Sequence, residues 1–388
     1  MHFFTSITTC YLPKARVLAK TLKKYNQNAV MHLVIADNLP NNFIKNEEPF
    51  DYIWNAEAFI KTENNKQWFY KHNVVELCTA IKASAAIHIL NQTNANEVVY
   101  LDPDIAVYSN LDELHDMLNY HSLLLTPHQT ESGGNNDESI RFDDLIFLQR
   151  GIFNFGFFAV RNNDNGRKFL DWWNYRLMNF CFDDQENGLF VDQKWGDLIP
   201  GLFDFVKIIR NPGYNVATWN LTTRKITGNE HSGWFVNEQP LKFFHFSAYD
   251  SGGHRRVLSR YADQDSPAWK LSLQYEQMVN NNGQKELVST PNKYSFYENG
   301  IEIKKSERIF FRNQPYLKNI FTNPFDQSCQ KWMSKNLLNT DIRKLIISYY
   351  LIYIGYKVSF GRTRIKLKNK FKIYQKAISK INNMKQTL

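Results

Sequence analysis

Hydrophobic positions in the first hundred residues switch between a period of two and a period near 3.6. HFFTSITT, residues 2–9, has the aromatic and β-branched composition of a strand. LPKARVLAKTLKKY, residues 12–25, sets Leu12, Ala15, Leu18, Ala19 and Leu22 on one helical face, and AVMHLVIAD, residues 29–37, is a second apolar run that ends on a carboxylate. This βαβ beginning is followed by a helix over 74–90, VVELCTAIKASAAIHIL, and a strand through NEVVYLDPDIAVY, residues 96–108. A polar loop at 129–139, QTESGGNNDES, breaks the pattern. GIFNFGFFAV then predicts a strand, RKFLDWWNYRLM a helix and LKFFHFSAY a late strand. Strands alternating with helices predict a parallel α/β sheet, whose ligands bind beyond the carboxyl ends of the strands.

After about residue 280 the alternation fades. NNNGQKELVSTPNK, residues 280–293, looks like a linker or long loop. The expected organisation is an α/β domain over 1–280, an extension over 281–340 and a tail over 341–388.

Composition changes the picture mainly through charge. The chain of 388 residues carries a formal net charge of +9, of which residues 341–388 account for +11, with Asp341 their one acid. The body is thus nearly neutral, which argues against a nucleic-acid-binding domain with cations spread over a recognition face. The tail points to an anionic surface instead. Within it, RIKLKNKFKI at 364–373 alternates cations with apolar residues like a strand, while Phe371, Tyr374, Ile378 and Ile381 fall at helical spacing. Either geometry separates an apolar from a cationic face. Aromatics make up 15% of the chain, enough for a core of large side chains and for rings that pack on sugar faces. Four cysteines without a CxxC pair point to a reducing compartment. A start without a basic n-region predicts no signal peptide, and LIISYYLIYIGY, the longest apolar stretch, is shorter than the roughly 20 residues a bilayer needs.

The segment Val98-Val99-Tyr100-Leu101-Asp102-Pro103-Asp104 carries the chemistry. A buried strand delivers two carboxylates to its end, and Pro103 removes a ladder donor where the strand must stop. Residues two apart in extended backbone share a face, so both acids can reach one hard cation. The alternative is an acidic turn, since a bare D-x-D is common.

VVYLDPDIAVYSNLDEL resembles the metal-binding segment of family 8-type glycosyltransferases, of the GT-A type, and of bacterial polysaccharide glycosyltransferases. Later segments follow in the same order over roughly residues 1–260. Asn154-Phe155-Gly156 resembles the family's N-x-G strand near the donor sugar, and Asp192-Gln193 its D-Q pair at the reacting centre. Asn211-Pro212-Gly213-Tyr214-Asn215 resembles its gyN segment, and His245 the histidine that completes the metal shell. Read alone, His245 between phenylalanines fits a core histidine as well as a ligand. Lys82, where the family has a basic residue that contacts the nucleotide, fits a solvated helix lysine equally well.

The resemblance implies a Rossmann-like, mostly parallel GT-A sheet with flanking helices and a C-terminal helical, basic extension. It implies Mn²⁺ (or Mg²⁺) held by Asp102, Asp104 and His245, with the imidazole favouring Mn²⁺. It also implies a nucleotide-sugar donor of the UDP-sugar kind touched by Thr8, Thr9, Lys82 and Gly156, and catalysis at Asn154, Asp192 and Gln193. The acceptor would be a glycan or lipid-linked saccharide of bacterial surface polysaccharide, and configuration would be retained. Two positions depart from the family. Thr8 and Thr9 stand where it has an acid for uracil, and no lysine follows His245 to meet the diphosphate. His254, Arg255, Arg256 and Arg260 are the replacements at hand, with Arg256 carried forward. Trp195, close after Gln193, is placed in the sugar cleft, whereas Trp172, Trp173 and Trp219 read as core. Asp143 and Asp144, after the polar loop, are candidates for contact with acceptor or donor sugar, but a solvated loop is the simpler account of them. A sugar-1-phosphate nucleotidyltransferase would need a Gly-rich basic loop after the first strand, which TSITTCYLPKAR lacks; a catalytically silent glycan-binding protein would have little use for both aspartates. The tail then implies a cytoplasmic enzyme attached to the inner face of the cytoplasmic membrane.

Overall fold

The computed structural model describes residues 1–40, 42–337, 351, 354, 357, 363, 366–370 and 372. The chain divides into two compact units, Met1–Ser295 and Phe296–Leu388.

The first unit is built on a seven-stranded sheet. Its strands are β1 (His2–Ile7), β2 (Val30–Ile35), β3 (Tyr52–Asn55), β4 (Glu97–Leu101), β6 (Leu123–Pro127), β7 (Phe153–Arg161) and β10 (Val206–Ile208), in the order β10-β6-β7-β4-β1-β2-β3. Six strands run parallel and β7 alone runs against them. Strands buried on both faces read as continuous apolar runs rather than alternating ones, as in EVVYL of β4 and LLLTP of β6.

Helices cover both faces. The helix Leu12–Tyr25 buries the five residues expected of it, Leu12, Ala15, Leu18, Ala19 and Leu22, against Phe3, Ile7, Met31, Leu33, Val99 and Phe157. On the opposite face Phe4, Tyr100 and Phe158 pack together, and Phe158 meets Trp173 of the helix Asp164–Phe180. The helical stretch Val74–Thr93 is long and apolar enough to cross a bilayer by composition, yet Leu77, Ala80, Ala83, Ala86, Ile89 and Leu90 are buried within the fold.

NEVVYLDPDIAVY is two strands rather than one. Pro103 ends β4, and β5 (Ile105–Val107) joins a separate three-stranded sheet with β11 (Val216–Ala217) and β15 (Phe243–His245). A short ribbon, β8 (Asp183–Asp184) with β9 (Leu189–Phe190), precedes the Asp192-Gln193 pair. An antiparallel sheet of β12 (Ile226–Asn229), β13 (Gly233–Val236) and β14 (Gln239–Pro240) lies between β11 and β15 in the chain.

In the second unit the helices Lys305–Asn313 and Leu317–Ile320 and helical residues 327–337 bury Phe311, Leu317, Cys329 and Met333. The membrane-associating reading of 341–388 lies almost wholly outside the described residues. Of the ambiguous stretch 364–373, residues 366–370 are helical.

Candidate active site

One edge of the large sheet gathers the ends that carry polar residues. Thr8 follows β1, Asp102 follows β4, His128 follows β6, and Asn154 stands at the start of the opposed strand β7. Their side chains line a cavity of about 370 Å³, together with Lys82, Asp104, Gly156, Asp192, Gln193 and His245.

Asp102 and Asp104 converge through a turn, not through extended backbone. The Ile105 N–H donates to the Asp102 carbonyl at 3.1 Å, and Pro103 occupies the position where a fixed φ favours such a turn. β15 then lies antiparallel to β5 with His245 opposite Ile105, and the Phe246 N–H donates to the Asp104 carbonyl at 2.8 Å. This register brings His245 Nε2 to 3.0 Å from Asp104 Oδ1 and 3.6 Å from Asp102 Oδ2. One ligand atom from each of Asp102, Asp104 and His245 lies within 4.8 Å of the others, so the three can hold one ion.

The imidazole is oriented by a chain of amides. The Gly156 N–H donates to Asn154 Oδ1 at 3.0 Å, which fixes that atom as the oxygen. Asn215 Nδ2 donates to the same oxygen at 3.0 Å and to Thr126 Oγ1 at 2.9 Å. Asn215 Oδ1 is thereby left to accept from His245 Nδ1 at 3.3 Å, which turns Nε2 toward the aspartates. Asn154 Nδ2 faces His128 Nε2 at 3.3 Å, while His128 Nδ1 donates to the Ile152 carbonyl at 3.2 Å. Asn215 holds φ of +50°, a left-handed conformation that asparagine tolerates better than most residues. Gly156 is required sterically, because a Cβ there would come within 2.5 Å of His245 Cε1 and 2.7 Å of Asn154 Oδ1.

Lys82 is buried, not a solvated helix lysine. Its ammonium lies 2.8 Å from Asp192 Oδ2 and 3.3 Å from Asp102 Oδ1, donates to the Phe155 carbonyl at 3.0 Å, and stands 4.2 Å from the centre of the Tyr100 ring. Burial opposes its charge, but Asp102 and Asp192 hold its pKa above the ordinary lysine value. Burial likewise pushes the Asp192 carboxyl upward, against the pull of Lys82. The two directions favour different proton placements. We assign the pair as ammonium and carboxylate, because Lys82 answers two acids at once. Tyr100 adds a hydrogen bond to Asp102 Oδ1 at 2.7 Å.

Burial raises Asp104, yet His245, with Lys14 farther off, holds it below the ordinary carboxylate value. Burial lowers His245, and Asp104 and Asp102 outweigh it to bring a net rise. Two carboxylate oxygens and an imidazole nitrogen are a donor set suited to Mn²⁺.

Gln193 donates Nε2 to the Arg150 carbonyl at 2.9 Å, and no hydrogen bond engages its Oε1 among the described residues. Thr9 does not line the cavity. Its backbone N–H and hydroxyl each bond Asp37 Oδ1 at 3.1 Å, so Asp37 is the acid beside this turn. Nor do the four proposed replacements for the diphosphate cation line it. His254 is buried against Ser272, Arg255 pairs with Glu276, Arg260 lies over the Phe142 ring, and Arg256 is exposed on the same helix. Trp195 is likewise elsewhere, with its indole N–H on the Phe180 carbonyl at 3.2 Å. Trp219 lines the cavity instead, edge-on to His245 at 5.2 Å between ring centres. Asp144 is exposed, whereas Asp143 is buried, because 137–150 is helical rather than a solvated loop. Sequence reasoning missed His128 and Arg150, which belong to no motif and enter the cavity only through the fold.

No family model matches the chain. It is 24% identical over 250 residues to uncharacterized protein YfnF of Bacillus subtilis (strain 168), covering 64% of this chain and 81% of that protein. With uncharacterized protein YfnD of the same organism it shares 21% over 258 residues, covering 64% and 78%. Among solved structures it is similar to the galactosyltransferase LgtC in complex with donor and acceptor sugar analogues, at 15% identity over 76% of this chain and 99% of that one, with a TM-score of 0.42. It is also similar to the glycosyltransferase GlyE of Streptococcus pneumoniae TIGR4, at 14% identity over 76% and 66%, with a TM-score of 0.43. The chain resembles these GT-A glycosyltransferases, and the chemistry of the site rests on its own residues.

Proposed function

We propose that this chain is a divalent-metal-dependent glycosyltransferase. It moves a sugar from a nucleotide-diphosphate sugar, UDP-linked, to a hydroxyl of a glycan or lipid-linked saccharide in bacterial surface polysaccharide. The observation that carries this reading is the convergence of Asp102, Asp104 and His245 at the sheet edge, beside an Asp192 held by buried Lys82.

Asp102, Asp104 and His245 Nε2 would hold the ion. When bound, Mn²⁺ or Mg²⁺ would supply positive charge that offsets the charge developing on the departing diphosphate. Lys82 fixes the orientation of both Asp102 and Asp192, so the acid that meets the sugar hydroxyls is tied to an acid of the metal site. Gln193 directs Oε1 toward the developing positive charge at the anomeric carbon, since its amide nitrogen is held by Arg150. Trp219 and Phe190 supply apolar lining for the sugar ring. Asp102, Asp104 and Asp192 are engaged with Lys82 and His245, and the resemblance to family 8-type enzymes supports retention, by attack of the acceptor on the face the diphosphate leaves.

The test is hydrolysis of a panel of nucleotide sugars with Mn²⁺. Asp104→Ala should lower turnover at least 1,000-fold, as should excess EDTA, with the melting temperature kept within a few degrees. Full activity under either condition ends the metal-dependent reading.

A further inference from the structure

The cavity contains two cations, and they differ in what they have left to give. Lys82 is buried and committed to Asp102, Asp192 and the Phe155 carbonyl. Arg150 lines the same cavity but has no carboxylate within ion-pair distance among the described residues. Its guanidinium lies 5.6 Å from the centre of the Phe190 ring, over an apolar surface.

The backbone that carries Arg150 is held firmly. The helix Leu145–Arg150 ends on Gly151, at φ of +119°, whose N–H bonds the Phe147 carbonyl at 2.8 Å. Gln193 donates to the Arg150 carbonyl at 2.9 Å, and the Ile152 N–H donates to Asp197 Oδ1 at 2.8 Å. A long side chain with an unpaired fork-shaped head thus springs from a fixed point beside Gln193. Arg150 is exposed to solvent, and Ile146, Phe147 and Phe190 are its apolar neighbours in the lining.

We propose that Arg150 is the phosphate-binding residue of this cavity. Resting on the transferase reading above, it receives a phosphate borne by one of the two substrates. A planar guanidinium engages phosphate oxygens in pairs, which an ammonium cannot do. The source is either the leaving diphosphate of the donor or the phosphate that joins an acceptor saccharide to its carrier. One more feature favours the second source: the same helix exposes Leu145 and Leu148 to solvent, 46% and 63% accessible, next to the arginine.

The experiment titrates full-length protein in saturating Mn²⁺ with two matched pairs of probes. One pair is UDP and uridine; the other is an octyl sugar-1-phosphodiester and the corresponding octyl glycoside. Arg150→Ala should weaken one phosphate-bearing probe at least tenfold while its phosphate-free counterpart changes less than twofold. Loss on UDP assigns the donor; loss on the phosphodiester assigns the acceptor. Arg150→Lys should recover part of the loss, since it restores charge without the fork. If Arg150→Ala, folded by melting temperature, separates neither pair, or if the wild type binds neither phosphate probe, the subsite is overturned. Wild-type protein that hydrolyses no nucleotide sugar and ignores UDP, yet binds the phosphodiester through Arg150, would instead overturn the transferase reading and leave the subsite standing.

Discussion

A histidine serves a metal only if it arrives with a lone pair facing the ion, and at His245 that choice belongs to Asn215. The tautomer follows from a sequence of donors and acceptors that starts at the Gly156 N–H and ends at His245 Nδ1. Removing the Asn215 side chain breaks the last link. Alanine would confuse the result, because the residue sits at φ of +50°, where most side chains are strained. Glycine keeps the backbone and deletes the amide. Asn215→Gly should weaken Mn²⁺ binding about 10- to 100-fold, the range found when a partner behind a metal ligand is lost. Asn215→Asp retains an acceptor for Nδ1–H and should recover much of it. Calorimetric titration gives the affinities, and ¹⁵N chemical shifts of the imidazole report the tautomer. Unchanged affinity in the glycine variant would show that His245 needs no such support.

At the scale of elements, the helix Gly253–Tyr261 docks through a histidine that must stay neutral. His254 is buried against Phe246, shares a hydrogen bond with Ser272 Oγ at 3.0 Å, and has no partner for Nδ1 among the described residues. Burial depresses its pKa to about 4. The neutral form is the one the fold accepts, so its contribution is intact above pH 6.5, where the unfolded chain is neutral too. Between pH 6.5 and about 4 the unfolded chain takes up a proton that the folded chain refuses, and stability falls by roughly 1.4 kcal/mol per pH unit. His254→Gln keeps a donor for Ser272 and does not titrate, so urea unfolding at pH 7.5, 6 and 5 should show a shallower loss than in the wild type. Equal slopes would place the acid sensitivity elsewhere, at His128 for instance, whose pKa burial also pushes to about 4. Elements differ in how far they could be read beforehand. The helix Leu12–Tyr25 was legible because five apolar residues at helical spacing all face one sheet. β3 was not, since YIWN is a short, half-exposed edge strand. β5 was hidden because β4 and β5 adjoin in sequence and part into different sheets at Pro103. The aspartates and His245 were visible as motifs. The work of Lys82 was not, because its partner Asp192 stands 110 positions further along the chain and only the packed fold brings them together.

For the whole molecule, charge is the property that the α/β unit does not explain. The chain carries +9, yet residues 341–388 alone carry +11, so the rest is slightly acidic. A nearly neutral body gives little steering toward an anionic surface, whereas a polybasic stretch gains about 1 kcal/mol for each Lys or Arg held near an anionic leaflet. Apolar residues among those cations, Ile365, Leu367, Phe371 and Ile373, add insertion to attraction. The two contributions answer differently to salt. Screening shortens the reach of charge from about 10 Å at 0.1 M to about 3 Å at 1 M, while apolar insertion is not screened. We therefore expect full-length protein to co-sediment with vesicles rich in anionic lipid at low salt and to be partly retained at 1 M. A chain ending at Thr340 should stay in the supernatant at either salt and hydrolyse nucleotide sugar at the full-length rate. Should full-length protein remain soluble beside such vesicles at low salt, the tail has another partner. Should the truncated chain also sediment, the anchor lies in the body, where exposed Leu145 and Leu148 beside Arg150 are the first residues to replace.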